Sequence, residues 1–240
     1  MEFMPEHAPL VAMSFLGTLA LLALLALILI FALWARKKWI GIGTVAFGLA
    51  LMSGYALVLV GVSMTSHDKV LAPGERKYFC EIDCHIAYSI TGVEESSTLG
   101  DELHPTVAAG RFVIVHLKTW FDPSTISPNR GNGELSPGLR RVSLVNEEGR
   151  EFAPSAAAQA AAEKLHGATT SLSQPLRPGE SYITDVVFDV PSDLRNPRLF
   201  IGDKVGFPDT VLIGHEDSYL HKKIYLALAA GDTISAGRVP

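Results

Sequence analysis

From Leu10 to Ala35, and again from Trp39 to Met64, the chain carries no charged residue. A helix rises ~1.5 Å per residue, so either run exceeds the ~30 Å hydrocarbon thickness of a bilayer. No other feature restricts the fold as sharply. The expected start is a membrane anchor over residues 1–64, made of two transmembrane helices at about 10–35 and 39–64. Between them stand only Arg36, Lys37 and Lys38, bracketed by Trp34 and Trp39, a basic turn with aromatic side chains suited to the headgroup layer.

Positive charge in short loops stays cytoplasmic. The opening MEFMPEHAP has two Glu and no Lys or Arg, so it lacks the basic region of a cleaved signal peptide. The expected topology is a multi-pass protein of the cytoplasmic membrane with both termini extracytoplasmic. In the second run Ala46, Ala50 and Gly54 recur at four-residue intervals, and Gly41, Gly43, Gly48 and Gly61 add small surfaces. Close backbone approach is what lets helices associate in lipid. The stripe is expected to pack on the first helix, with a partner membrane subunit or a homo-oligomer as the alternative. Neither run contains a charge or a His, so neither offers groups for a proton path or an ion channel.

Beyond the anchor the balance turns acidic. The 20 basic residues less the three of the turn leave 17, against 23 acidic ones, the 25 less Glu2 and Glu6. Nucleic acid and anionic lipid are poor partners for such a surface. Residues 65–77 read as a linker, 78–230 as one domain, and 231–240 as a flexible tail.

Within that domain apolar and polar residues alternate at the period of strands. Tyr78 to Thr91 reads as the first strand. Arg111 to Phe121 places Val113, Val115, Leu117 and Phe121 on one face; Leu139 to Val145 and Phe152 form a hairpin turned near Gly149. Ser181 to Val190 sets Tyr182, Thr184, Val186, Phe188 and Val190 opposite Asp185 and Asp189. Arg198 to Ile201, Thr210 to Ile213 and Lys222 to Leu228 complete the set. PSAAAQAAAEKLHG is the exception, an Ala-rich helix capped by Gly167 and serving as a crossover between sheets. Residues 122–138 form a long Pro/Gly/Ser/Asn-rich loop. The fold class is two transmembrane α-helices followed by an all-β immunoglobulin-like sandwich.

The stretches VSLVNEEGREFAPS and LRPGESYITDVVFDVPSDLRNPRLFI resemble the bacterial immunoglobulin-like, telokin-like extracytoplasmic domain of unknown function carried by membrane-anchored and lipid-anchored exported proteins. The resemblance covers roughly residues 105–228. It brings no catalytic residues and implies an interaction or accessory module. The two-helix anchor and the cysteine-bearing first strand depart from its lipid-anchored members.

Both cysteines lie in FCEIDCHIAYSI, as Cys80 and Cys84 with His85 next. On a single regular strand the two thiols point inward and His85 outward. Their Cα atoms then stand ~13 Å apart, beyond the ~7 Å reach of a disulfide, and the thiols are buried and inert. Two alternatives stay open: a disulfide across a bulge or turn, and a copper or haem site on Cys80, Cys84 and His85. The Cys-x3-Cys spacing is similar to that of the copper site of cytochrome oxidase subunit II, a protein that likewise has two spanning helices and an exported domain. Where that pattern continues with His and Met, this chain has Tyr88 and Thr91. Haem attachment normally reads Cys-x2-Cys-His, one residue shorter. His104, His116, His215 and His221 are the exported histidines available to complete a thiolate site. On the polar face Glu81, Asp83 and His85 read as solvated. The cluster GHEDSYLHKK, with His215, Glu216, Asp217, His221, Lys222 and Lys223, reads as a connecting loop. No serine elbow, HExxH or phosphate loop is present. The expected function is non-enzymatic: an extracytoplasmic binding or accessory module that supports a protein partner in or at the membrane.

Overall fold

The computed structural model describes residues 8–79, 85–101, 103–125, 129–204 and 206–228. Within them the chain forms two compact units, one of residues 8–68 with 206–223, the other of residues 69–204 with 224–228. The tail read at 231–240 lies outside the described residues.

The first unit contains α1 (Ala8–Trp34) and α2 (Lys38–Thr65), both long and apolar enough to cross a membrane. Their turn closes in a Schellman arrangement: Lys37 N–H donates to Ala32 O at 2.8 Å and Arg36 N–H to Leu33 O at 3.2 Å. Arg36 takes the left-handed position there, with φ +54°, where glycine is usual. A basic side chain therefore stands at a backbone position that disfavours it.

The helix contact overturns the expected use of the small-residue stripe. A Cβ added at Gly41 meets Leu29 and Ala32 at 3.8 and 4.0 Å, and one at Gly48 meets Leu25 at 3.8 Å. Gly41 and Gly48 face α1. Ala46, Ala50 and Gly54 are exposed, and a Cβ at Gly54 meets nothing within 4 Å. The reason is periodic: Gly41 and Gly48, seven residues apart, lie on the face toward α1, and the 46, 50, 54 row lies on another face.

The second unit is two β-sheets. Its strands are β1 (Lys69–Leu71), β2 (Lys77–Phe79), β3 (Ile86–Leu99), β4 (Thr106–Phe121), β5 (Arg140–Val145), β6 (Glu151–Phe152), β7 (Ser181–Val190), β8 (Arg198–Asp203) and β9 (Ile224–Ala227). One sheet runs β2-β3-β4-β7, antiparallel throughout; the other runs β1-β9-β8-β5-β6, with β1 parallel to β9 and the rest antiparallel. Val113, Val115, Leu117 and Phe121 of β4 share one core with Val142, Leu144, Leu199 and Ile201 of the opposite sheet.

Three sequence expectations change. The segment read as a linker contains β1. Thr210–Ile213 is not a strand; Asp209–Val211 is a 3-10 turn between Pro208 and Gly214. The single strand Tyr78–Thr91 is two strands, because Lys77 pairs with Tyr88, Tyr78 with Ala87 and Phe79 with Ile86, antiparallel. Apolar alternation continues in phase on both sides of the reversal, so the pattern alone reads as one strand.

The Ala-rich helix forms as α3 (Ala156–His166). The Ser155 side chain accepts from Ala158 N–H, and Gly167 ends it at φ +89°. Ala158, Ala161 and Ala162 let it lie close on the outer face of the four-stranded sheet, over Leu99, Phe112, Ile114 and Val187. It also closes the edge of β7. Val187 donates to Gln159 Oε1 at 3.1 Å and its carbonyl accepts from Ser155 N–H at 2.8 Å; Gln159 Nε2 donates to Asp185 O at 3.0 Å, and Asp185 N–H to Thr169 Oγ1 at 2.8 Å. One glutamine side chain thus stands in for a neighbouring strand and blunts an edge that invites foreign pairing. Gln159→Ala leaves Val187 N–H and Asp185 C=O short of a partner. It is expected to cost about 1–3 kcal/mol and to promote association, checked by denaturant unfolding and light scattering of the full chain in nanodiscs.

Candidate functional site

Cys80 and Cys84, with Glu81 and Asp83, lie outside the described residues. Phe79 before them meets Tyr88 edge-on at 5.3 Å between ring centroids, with the Arg140 guanidinium 4.1 Å and the Lys77 ammonium 5.1 Å from its ring centre. After them, His85 is buried and stacks on Phe121 at 5.4 Å. The expectation that His85 points outward is thereby corrected. Since Phe79 pairs with Ile86, the chain reverses between them, and the ~13 Å separation that one straight strand imposed on the two thiols no longer applies.

The base of this turn is held by a buried carboxylate. Asp122 Oδ2 accepts from Tyr78 OH at 2.6 Å. Its Oδ1 accepts from Ser124 N–H at 2.8 Å and from Ser124 OH at 2.6 Å, while its N–H donates to His85 O at 2.8 Å. Burial by itself raises this carboxyl. The Ser124 and Tyr78 donors, with the charge of Arg76, outweigh it and leave the pKa below the ordinary value. Deeper in, burial pushes the Tyr88 hydroxyl up to about 12, partly offset by Arg140, whose Nε donates to it at 3.3 Å.

Beside this network the outer face of β3 and β4 opens into a groove of about 450 Å³. Arg76 lies 4.0 Å over the Trp120 ring, and Lys118, Ser89 and Thr91 complete the walls. A register shift between Ile90 and Gly92 shapes its far end. A Cβ at Gly92 approaches His116 Cδ2 to 3.0 Å, so glycine makes room for that ring. His116 Nδ1 is 2.6 Å from Asp185 Oδ1, and Nε2 is 3.4 Å from Glu94 Oε1. One cation on the indole, a second in the groove wall and a histidine between two carboxylates suit recognition of a charged or aromatic group.

Of the other histidines, His104 is exposed on the β3–β4 connection. His215 Nδ1 accepts from Asp217 N–H at 3.1 Å, and Lys223 pairs with the buried Asp217 at 2.6 Å in a turn-rich loop. His221 bonds the adjacent Lys222 carbonyl. Among the described residues no three His, Cys, Asp or Glu side chains converge as a metal site. The groove went unnoticed in the sequence. Its outward residues His116, Lys118 and Trp120 alternate with the core face of β4, but what lies opposite each depends on strand register.

No protein-family model matches the chain, and no curated protein matches it. Three solved structures are similar. MPT63, a secreted protein of Mycobacterium tuberculosis, is 9% identical over 68% of this chain and 99% of its own, with a TM-score of 0.43. A conserved hypothetical protein of Bacillus anthracis is 16% identical over 50% and 84%, with a TM-score of 0.39. The yjhA protein of Bacillus subtilis is 14% identical over 65% and 98%, with a TM-score of 0.38.

Tyr78→Phe removes one donor to Asp122 and is expected to lower unfolding stability by about 1.5–3 kcal/mol at neutral pH. A carboxyl with a lowered folded pKa stabilises above its unfolded value and loses that contribution as pH falls. The gap between variant and parent should therefore close below about pH 4, read by denaturant unfolding at neutral pH and near pH 3.

Proposed function

We propose that the chain is a non-enzymatic module tethered to the cytoplasmic membrane, crossing it twice with both termini outside. In this reading the β unit is an immunoglobulin-like, telokin-like sandwich that supports a membrane or envelope protein complex. One observation carries it: α1 and α2 leave nearly all of their apolar side chains unburied, as lipid-facing helices do. The unpaired row Ala46, Ala50 and Gly54 on α2 supports a further helix as partner, whether a second copy or another subunit. Arg36, Lys37 and Lys38, the whole charge of the short connection, support a basic turn kept on the cytoplasmic side.

The test separates the two faces of α2. A photo-crosslinking residue at position 50, in cells, should form a covalent adduct with a protein helix, and Gly54→Leu should abolish it. Gly48→Leu, on the α1 side, should disturb the helix pair instead. Adducts to lipid alone would sink the partner, and a protease-accessible basic turn on the outer side would sink the topology.

A copper or haem site on Cys80, Cys84 and His85 is the second reading. The reversal between Phe79 and Ile86 favours it by holding all three in one short connection. Against it, His85 is buried with its ring stacked on Phe121. Elemental analysis with thiol titration, native and denatured, distinguishes them. Stoichiometric metal lost on Cys80→Ser establishes the site; a metal-free protein removes it.

A further inference from the structure

The connection between β8 and β9 leaves the β unit and belongs to the helix unit. Phe207 meets Phe15 of α1 edge-on at 6.0 Å between centroids. Tyr55 of α2 donates its hydroxyl to Val211 O at 2.8 Å, a Cβ at Gly214 lies 3.9 Å from Val62, and Lys222 N–H donates to Ser66 Oγ at 2.9 Å. Yet the segment keeps Phe207, Tyr219 and Leu220 exposed, at 77%, 65% and 54%.

Depth along the helices gives these contacts meaning. Measured from Trp34 and Trp39 at the turn, a hydrocarbon layer of ~30 Å ends ~20 residues away, near Ser14 and Leu59. Phe15 lies at that boundary, and Tyr55 lies ~6 Å inside it. Backbone polar groups at such a depth need partners. Those of the deepest stretch have them: Val211 N–H donates to Pro208 O at 2.9 Å, Leu212 N–H to Asp209 O at 3.3 Å, and the Val211 carbonyl takes the Tyr55 hydroxyl. The paired Lys223 and Asp217 sit in the part that joins the end of α2 through Ser66.

We propose that residues 206–221 are an interfacial membrane element that inserts Phe207, Tyr219 and Leu220 into the outer leaflet of a phospholipid bilayer. The occupant of this apolar surface is lipid, because the surface continues that of the helices and the backbone groups lying deepest along them, at Val211 and Leu212, are hydrogen-bonded as hydrocarbon demands. Aromatic rings at the boundary of the apolar layer fit the same role. The inference rests on α1 and α2 crossing the membrane.

Tryptophan quenching tests it on the full chain in phosphatidylcholine nanodiscs. One variant carries Phe207→Trp with Trp34→Phe, Trp39→Phe and Trp120→Phe. A second places Tyr219→Trp in the same background, and a control keeps Trp34 and Trp39 with Trp120→Phe alone. Lipid brominated high on the acyl chain is expected to halve, roughly, the emission of both loop indoles, with iodide in the water having little effect. Quenching of the control without quenching of either loop indole overturns the interfacial element alone. Loop indoles open to iodide place the segment in water, and indoles shielded from both quenchers place a protein over it; both results overturn the proposal. A control that lipid bromine does not touch overturns the membrane crossing itself.

Discussion

β4 is buried on both faces in its middle, from Phe112 to Val115, and the rest of the β unit is arranged around that. Val113, Val115, Leu117 and Phe121 enter the core between the sheets, while Phe112 and Ile114 enter the smaller cluster under α3. A strand covered twice must find all its backbone partners in its own sheet, and β3 and β7 supply them on both sides from Phe112 to Trp120. α3 spans 11 residues, which at ~1.5 Å each covers only part of the strand. Past its reach the outward positions become His116, Lys118 and Trp120, and the groove begins there.

Buried charge ties the sheets together. Lys77 is 1% exposed, yet its Nζ donates to Ile201 O at 2.5 Å and to Ile224 O at 3.1 Å, carbonyls of the opposite sheet, with the Phe79 and Phe200 rings about it. Arg140 is paired with Asp203 and also reaches Phe79 and Tyr88. Charges in an apolar interior are costly unless fully met by partners. Both therefore fix the geometry of β2 against β8 and β9, and with it the place of Phe79. On the other side a polar network runs from Tyr78 through Asp122 to His85.

Much of this architecture is legible in the residues. The two apolar runs become α1 and α2 within two or three residues, α3 has the Gly167 cap, and β7 matches Ser181–Val190 at both ends. Local patterns suffice there, because each element carries its own period and its own stop signals. What escaped depends on partners distant in sequence. Lys77 closes the segment read as a linker, and GERKYF gives no sign of the carbonyls that receive it. β1 is three residues long and exists only through its pairing with β9. Thr210–Ile213 has strand composition, but its apolar residues follow helices rather than a sheet. The His116 and Asp185 pair needs the register of β4 on β7, which alternation leaves open by any even shift.

The two glycine rows of α2 show how the same composition serves different ends. Where Gly41 and Gly48 face α1, the leucine-rich helix supplies Leu25 and Leu29 to fill the space, so large meets small. Small residues elsewhere on a helix gain nothing from this contact. In the membrane-crossing reading proposed above, Ala46, Ala50 and Gly54 leave a shallow track along α2 that flexible lipid tails would fill less well than a rigid helix would. Since lipid offers no hydrophobic drive toward association, van der Waals contact along such a track is the main force available. A row of this kind, turned away from the one helix already present, makes physical sense as the seat of another.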